Sequence, residues 1–149
     1  MRLHHIITVV FLSLFSLTAC DSDKDLTVVE IPVTPYEIDN LWMVGDATAA
    51  GWDIDNLVQM EKTDTNVFRY EGTLSEGEFK CPMKPGNWGG PFIMPSVNGV
   101  TISRDGAASD EISLMPDGNP DNKWVVTESG NYQIIIDGNK HKIHVICLN

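Results

Sequence analysis

The sequence predicts an all-β protein, with an immunoglobulin-like antiparallel β-sandwich over residues 41–149. Three observations predict this fold. Short apolar runs with a two-residue alternation follow one another after Asn40, turn-forming residues separate them at nearly regular spacing, and no stretch shows the sustained period of an amphipathic helix. The roughly 130 residues that follow Cys20 are enough for one domain with a modest hydrophobic core.

Eight strands are predicted after residue 40, each from an apolar run that ends at turn-forming residues. In chain order they cover residues 41–44, 67–74, 78–83, 99–102, 111–114, 123–126, 131–136 and 140–147. The last two are predicted to form a hairpin, because Asp137, Gly138 and Asn139 between them accept the positive φ angles of a tight turn. Residues 28–33 are a further candidate, as an edge strand.

The N-terminus has the pattern of a bacterial lipoprotein signal peptide, predicted to span residues 1–19. Arg2 precedes an apolar run, residues 6–17, that is too short to span a bilayer and leads into acidic, polar sequence. The small residues before Cys20 resemble a lipobox, at which the thiol is lipidated before cleavage. A multiply acylated Cys20 would anchor the protein stably. The alternative is a plain secretory signal followed by an unrelated cysteine.

Residues 20–40 are predicted to be the lipidated cysteine and a flexible linker, which Pro32 and Pro35 keep extended. Its acidic beginning, residues 21–25, is either a solvated leader or resembles the acidic tags that follow the lipidated cysteine in surface-exported lipoproteins of glycan-foraging Gram-negative bacteria. The second interpretation predicts a protein lipid-anchored in the outer membrane, at the cell surface. The periplasmic face of that membrane is the alternative.

The charge balance argues against two classes of partner. The chain has 21 Asp and Glu residues against 10 Lys and Arg residues, a formal net charge of −11. Nucleic-acid binding depends on basic residues that neutralise phosphates, so no nucleic-acid partner is predicted. The same excess of carboxylates gives no electrostatic attraction to anionic lipids, so membrane contact is predicted to be through the lipid anchor alone.

The two cysteines that follow Cys20 have two interpretations. Cys81 and Cys147 each lie in a predicted strand. The cell envelope is oxidising, so the pair is a candidate disulfide. A buried unpaired cysteine also behaves as a small apolar residue, and the sequence does not give the geometry that would choose between the two.

No motif predicts catalysis, a metal or a cofactor. The sequence lacks a glycine-rich phosphate loop, a nucleophile elbow and a His-Glu-x-x-His motif. His141 and His144 lie three apart on a predicted strand and point to opposite faces, and the acidic residues between 105 and 121 suit a solvated loop better than a calcium site. We therefore predict that the protein is not an enzyme. A glycoside hydrolase is a distant alternative, which would need two carboxylates about 5–10 Å apart in a cleft.

Two tryptophans are predicted to lie on loops. Trp52 follows a glycine in a run of small residues, and Trp88 lies within the turn-forming run 85–90. Such segments offer few neighbours that bury an indole, so both rings are predicted to form a stacking surface. The alternative is that each ring folds back onto the sandwich. Trp42 and Trp124 lie on predicted strands and are expected to pack in the core.

Two exposed indoles with nearby ammonium groups suit an oligosaccharide. Sugar rings present flat C–H faces that stack on aromatic rings, and hydroxyl groups that need donors and acceptors. The candidate donors are Lys80, Lys84 and Lys123. An inclined pair of indoles would match the curve of an α-1,4-glucan, whereas coplanar rings would match a flat β-glucan.

Several short motifs, in this order, resemble the carbohydrate-binding modules of SusE and SusF, surface lipoproteins of the starch-utilisation system. They are the strand and Gly-Trp turn of 41–52, the strand 67–74 ending in Gly-x-Leu, Gly-Glu-Phe-Lys at 77–80, Asp-Asn-Lys-Trp at 121–124, and 130–134. The resemblance implies that Trp52 and Trp88 are the sugar platforms and that Lys80 or Lys84, together with Lys123, donates hydrogen bonds. It also implies a starch-like ligand and a TonB-dependent transporter complex as partner.

Two functions are consistent with these features. The first is a surface-tethered, non-catalytic lipoprotein that holds starch-like oligosaccharides for a neighbouring import system. The second is a structural or interaction lipoprotein of the outer membrane that binds a protein partner without a sugar site. Accessible indoles lying close together would favour the first, and buried indoles the second. SusE and SusF carry several binding modules, whereas one is predicted here, so avidity from several tethered modules is not expected.

Overall fold

A computed structural model of the protein describes residues 31–149. The predicted signal peptide, Cys20 and the beginning of the predicted linker lie outside the described residues. No helix long and apolar enough to cross a membrane occurs between residues 31 and 149. Residues Pro32–Asn149 form one compact unit that is built from β-strands.

Thirteen strands are present in the part of the chain that the structure describes. In chain order they are β1 (Trp42–Met43), β2 (Val58–Gln59), β3 (Glu61–Asp64), β4 (Val67–Leu74), β5 (Gly77–Phe79), β6 (Cys81–Pro82), β7 (Phe92–Pro95), β8 (Val100–Ser103), β9 (Gly106–Ala107), β10 (Ile112–Met115), β11 (Trp124–Val126), β12 (Gly130–Asp137) and β13 (Lys142–Cys147). The predicted hairpin at the C-terminal end is confirmed as β12 and β13, but the positive φ angle in its turn belongs to His141 (55°) and not to Asp137, Gly138 or Asn139.

The longest strands lie in a four-stranded antiparallel sheet with the order β13-β12-β4-β3. Alternate residues of β12 point in opposite directions, as the pleat requires. Tyr132, Ile134 and Ile136 are fully buried, whereas Gln133 and Ile135 between them are partly exposed. This alternation is the signal in the sequence that predicts the strand.

The other layer is built from shorter strands. A four-stranded sheet has the order β5-β11-β8-β9, a three-stranded sheet has the order β10-β7-β6, and β1 pairs with β2. The segment Gly77–Pro82 joins these sheets, because β5 pairs with β11 and β6 pairs with β7. Strands β8 and β11 are parallel, which departs from the all-antiparallel prediction. The chain between them passes through β9 and β10, which supplies the crossover that parallel strands need.

The main hydrophobic core lies between the layers. Phe68, Tyr132 and Ile134 enter it from the β3-β4-β12-β13 sheet, and the stacked rings of Phe79 and Trp124, 5.1 Å apart between centroids, enter it from the β5-β11-β8-β9 sheet. Burial of apolar side chains from both layers is the main stabilising contribution in such a sandwich. The predicted all-β sandwich class is confirmed.

The folded unit begins earlier in the chain than the predicted boundary at residue 41. Ile38 is buried in the core, and the backbone N–H of Tyr36 donates to the carbonyl oxygen of Gly138 at 2.8 Å. Part of the segment predicted as linker therefore packs on the sandwich. Of the candidate edge strand at 28–33, residues 28–30 lie outside the described range, and residues 31–33 are not in a strand.

Both described cysteines are free thiols. Cys81 is completely buried in the core, where burial raises the pKa of its thiol far above the ordinary value. Cys147 is partly buried at the end of β13. Of the two interpretations of the pair, the structure shows the unpaired one, with Cys81 serving as a small apolar residue.

Candidate functional site

Trp52 is presented by a tight turn that follows β1. The backbone N–H of Gly45 donates to the carbonyl oxygen of Gly51 at 2.8 Å, and the Thr48 hydroxyl donates to the carbonyl oxygen of Gly45 at 2.8 Å. Gly51 has a φ of 59°, which glycine adopts more readily than other residues. The turn closes on itself and leaves the next side chain outside, so Trp52 is 40% exposed.

Trp88 is presented by the loop between β6 and β7, residues 83–91, which we call the Trp88 loop. The Asn87 side chain braces it, because its amide nitrogen donates to the carbonyl oxygen of Gly90 at 2.9 Å and its oxygen accepts from the N–H of Gly89 at 2.9 Å. At the base of the loop, the N–H of Met83 donates to the carbonyl oxygen of Pro91 at 3.0 Å. Trp88 is 46% exposed at the tip.

The two loops place their indoles side by side. The ring centroids of Trp52 and Trp88 are 6.4 Å apart and the ring planes are inclined by 41°. Phe92, fully buried at the start of β7, lies nearly parallel to Trp88 with centroids 6.5 Å apart. We call Trp52, Trp88 and Phe92 the aromatic platform. The predicted exposure and proximity of the two indoles are confirmed.

Lys80 lies beneath this platform and is only 5% exposed. Its ammonium nitrogen is 5.2 Å from the ring centroid of Trp88 and 4.3 Å from that of Phe92, within the range of cation–π attraction. It also donates to Asp121 Oδ1 at 2.6 Å. The predicted role of Lys80 as a hydrogen-bond donor to a ligand does not fit this burial, and the side chain supports Trp88 instead.

Lys123 lies beside the other indole. Its ammonium nitrogen is 2.7 Å from Asp121 Oδ2, 3.1 Å from the Asp121 carbonyl oxygen and 6.0 Å from the ring centroid of Trp52. One carboxylate therefore joins the cation under Trp88 to the cation beside Trp52. We call Lys80, Asp121 and Lys123 the Asp121 bridge.

The Asp121 carboxylate is half exposed despite its two ion pairs. Partial burial acts to raise its pKa, but the hydrogen bonds and positive charges of Lys123 and Lys80 outweigh burial and hold the pKa below its ordinary value. The carboxylate consequently stays ionised at neutral pH next to the aromatic platform. Its remaining lone pairs are acceptors at the edge of the platform.

Lys84, predicted to serve the same site, lies in a different cleft, which it lines together with Trp42, Met83 and Pro85. Trp42 is partly exposed there, while its neighbours Leu41 and Met43 are fully buried. The prediction that Trp42 packs in the core is wrong, because strand alternation turns its side chain to the opposite face. Trp124 is fully buried as predicted.

Phe92 and Asp121 are site residues that the sequence analysis did not single out for this role. Phe92 begins a strand that the alternation pattern missed. Asp121 falls in the acidic stretch 105–121 that is predicted to be a solvated loop, although its spacing of two from Lys123 places both side chains on the same side of an extended segment. Among residues 31–149, no group of three or more His, Cys, Asp or Glu side chains is placed to hold a metal ion.

Comparison of the chain with protein-family models, curated proteins and solved structures found no match. Two inclined indole faces, a carboxylate at their edge and a neighbouring ammonium group form a surface that can stack against flat apolar faces while offering hydrogen bonds to polar rims.

Proposed function

We propose that the protein is a non-catalytic glycan-binding protein that holds a curved, starch-like glucan on Trp52 and Trp88. The observation that carries the proposal is the inclined pair of exposed indoles, 6.4 Å apart between centroids with 41° between planes. Each indole stacks on the C–H face of a sugar ring. Two faces set at an angle suit a chain that curves from ring to ring, as an α-1,4-glucan does.

Polar groups beside the platform support the same ligand. Sugar hydroxyls both donate and accept, so they need mixed partners. The half-exposed Asp121 carboxylate offers acceptors, and Lys123 beside Trp52 offers a donor. A sugar hydroxyl that is buried without a partner lowers affinity, so these two groups would select among sugars that stack equally well.

The proposal includes attachment to the outer membrane. The lipobox at Cys20 and the acidic leader support a lipid anchor at the cell surface, and the resemblance to SusE and SusF supports delivery of glycan to a TonB-dependent transporter complex. The proposed role is capture of oligosaccharide close to an import system, without bond cleavage.

Affinity electrophoresis of residues 21–149 tests the proposal. We expect retardation in gels that contain starch or another α-glucan, and a loss of about tenfold or more in affinity for Trp52→Ala and for Trp88→Ala, because each removes a stacking face. Ile146→Ala is the matched control, since Ile146 is 42% exposed but lies on β13, outside the platform.

Equal migration of the wild type in every polysaccharide gel would overturn the proposal and favour the alternative, an interaction lipoprotein with a protein partner. Retardation that neither tryptophan substitution reduces would show that Trp52 and Trp88 are not the glycan site. Stronger retardation by a flat β-glucan than by starch would contradict the inference drawn from the inclination of the indoles.

A further inference from the structure

A third indole, that of Trp42, forms the wall of a separate cleft. The cleft has a volume of about 410 Å³, within the range of small-molecule sites, and is lined by Trp42, Lys84, Met83, Pro91 and the polar residues Glu37, Asp39 and Asn40. We call it the Trp42 cleft. None of these residues belongs to the aromatic platform or to the Asp121 bridge.

Trp42 does not contribute to the packing of the hydrophobic core. Its neighbours in β1 face inward and are fully buried, so Trp42 faces outward. Within residues 31–149, its side chain belongs to neither hydrophobic cluster and is not packed against either. A large aromatic side chain that contributes to no core but lines a cleft is typical of a binding surface.

The polar groups at the rim of the cleft are available to a ligand. Across the part of the chain that the structure describes, the side chains of Lys84, Glu37, Asp39 and Asn40 form no ion pair or hydrogen bond with another residue. The rim therefore offers donors and acceptors together. The rim carries two carboxylates and one ammonium group, which disfavours an anionic ligand, and neutral hydroxyl groups can pair with every one of these groups.

We propose that the Trp42 cleft is a second glycan-binding site, in which the indole stacks on a sugar ring and Lys84, Asn40 and the carboxylates bond its hydroxyls. This inference rests on the proposed function in one respect, that the ligand is the same class of neutral glucan.

The Trp88 loop connects the two sites, since it carries Trp88 to the platform and Lys84 and Pro91 to the cleft. Two sites on one module supply avidity for a long polymer that one site lacks.

The four tryptophans allow a direct test by nuclear magnetic resonance. Each indole N–H gives one signal, assigned with single Trp→Phe variants, and the chain has only Trp42, Trp52, Trp88 and Trp124. During titration of residues 21–149 with maltoheptaose, we expect the Trp42 signal to shift along with those of Trp52 and Trp88. The Trp124 indole N–H is buried, so its signal is the internal control and is expected to stay in place.

Substitutions then separate the two sites. In Trp52→Ala/Trp88→Ala, the Trp42 signal should still move with maltoheptaose, and adding Lys84→Ala should weaken that response about tenfold, because a hydrogen bond from a charged donor is lost. Lys140→Ala is the matched control, since Lys140 is a strongly exposed lysine outside the cleft. Starch should be bound more tightly than maltoheptaose by the wild type, and this preference should shrink in Lys84→Ala.

The outcomes distinguish the two proposals. A Trp42 signal that stays in place at saturating maltoheptaose, while Trp52 and Trp88 respond, overturns the second site and leaves the proposed function standing. If the Trp42 signal shifts while the Trp52 and Trp88 signals do not, the platform is not the glycan site and the cleft is supported. If none of the four signals shifts, both proposals are overturned. If Lys84→Ala changes the response of the Trp42 signal to maltoheptaose no more than Lys140→Ala does, Lys84 does not bind the ligand in the cleft.

Discussion

The Lys80 side chain leaves the sheet on the predicted face, but it supports Trp88 instead of binding a ligand. Alternation in the segment Phe79-Lys80-Cys81 predicts that Lys80 leaves the sheet on the face opposite to its neighbours. The structure agrees, because Phe79 and Cys81 belong to the main core, whereas the Lys80 ammonium lies over Phe92 of the second cluster. The sequence gives no sign that the rings of Trp88 and Phe92 cover that face. A buried ammonium group needs a counter-charge, and Asp121 provides it from a segment 41 residues away in sequence.

We expect Asp121→Ala to lower the free energy of unfolding by about 2 kcal/mol. The substitution leaves the Lys80 ammonium buried without its partner, a change that costs about 3–5 kcal/mol where both members are fully buried, and the half exposure of Asp121 reduces this. Urea unfolding measures the difference. Asp110→Ala is the matched control, because its ion pair with Lys142 is exposed on both sides and should contribute little to stability. Equal losses in the two variants would contradict the importance of the Asp121 bridge.

The stability of the protein should also depend on the ionisation of Asp121. Its pKa is lowered in the folded state, so it contributes stability that is fully present above the unfolded-state pKa of about 4 and is lost as the pH falls through the lower folded-state value. We expect the difference in unfolding free energy between wild type and Asp121→Asn to shrink on acidification below about pH 4. Urea unfolding at several pH values measures it, and a difference that does not change with pH would contradict the prediction.

At the scale of elements, β7 explains why the alternation pattern predicts some strands and misses others. Strands β4, β12 and β13 each cover the core with one face, so apolar and polar residues alternate. In β7, Ile93 enters the main core while Phe92 and Met94 pack with Ile54 in a second cluster. A short strand buried on both faces has no alternation to detect. The strand β3 was missed for the opposite reason, because all four of its residues are exposed.

The Trp88 loop depends on the backbone conformation of Gly90, which has a φ of 88°. A Cβ atom there would lie 2.7 Å from the carbonyl oxygen of Pro116 and 2.9 Å from the backbone nitrogen of Gly118, so the loop would have to move. We expect Gly90→Ala to reduce stability by about 2 kcal/mol or more and to weaken glycan binding by displacing Trp88.

Gly99→Ala is the control for that substitution. Gly99 has a similar φ of 81°, but a Cβ atom there meets nothing within 4 Å. We expect a loss of about 1 kcal/mol from backbone strain and no change in glycan affinity. Urea unfolding and affinity electrophoresis on the two variants separate strain from loop displacement, and unchanged glycan retardation in Gly90→Ala would contradict the role of the loop.

At the scale of the whole molecule, the net charge of −11 should have little effect on the binding of a neutral glucan, so the affinity should depend only weakly on salt. A neutral glucan gains nothing from long-range attraction, and partly buried ion pairs such as those of the Asp121 bridge are screened only weakly. We expect the dissociation constant for maltoheptaose to change less than about twofold between low and high salt. Isothermal titration calorimetry checks this, and a tenfold loss at high salt would indicate that exposed charges dominate the site.

The candidate site illustrates how far the whole molecule could be predicted. The glycine and small residues before Trp52, and the glycine and proline residues around Trp88, predict exposed loops because such runs favour turns over strands. The distance and inclination between the rings depend on where the two loops meet in the folded sandwich, which local sequence does not encode. The separation of Lys84 from Lys80 has the same cause: the Trp88 loop turns Lys84 toward Trp42, although only three residues separate the two lysines.

The edge of the longer sheet has a consequence for molecules held side by side. Strand β3 is one of the two outermost strands of that sheet, and an outermost strand can add to the same strand of a neighbour. Here that margin carries Glu61, Lys62 and Asp64 and has an irregular register between Lys62 and Asp64. Three charged side chains and an interrupted ladder oppose pairing through β3, so molecules anchored densely side by side should not join into fibres along this edge.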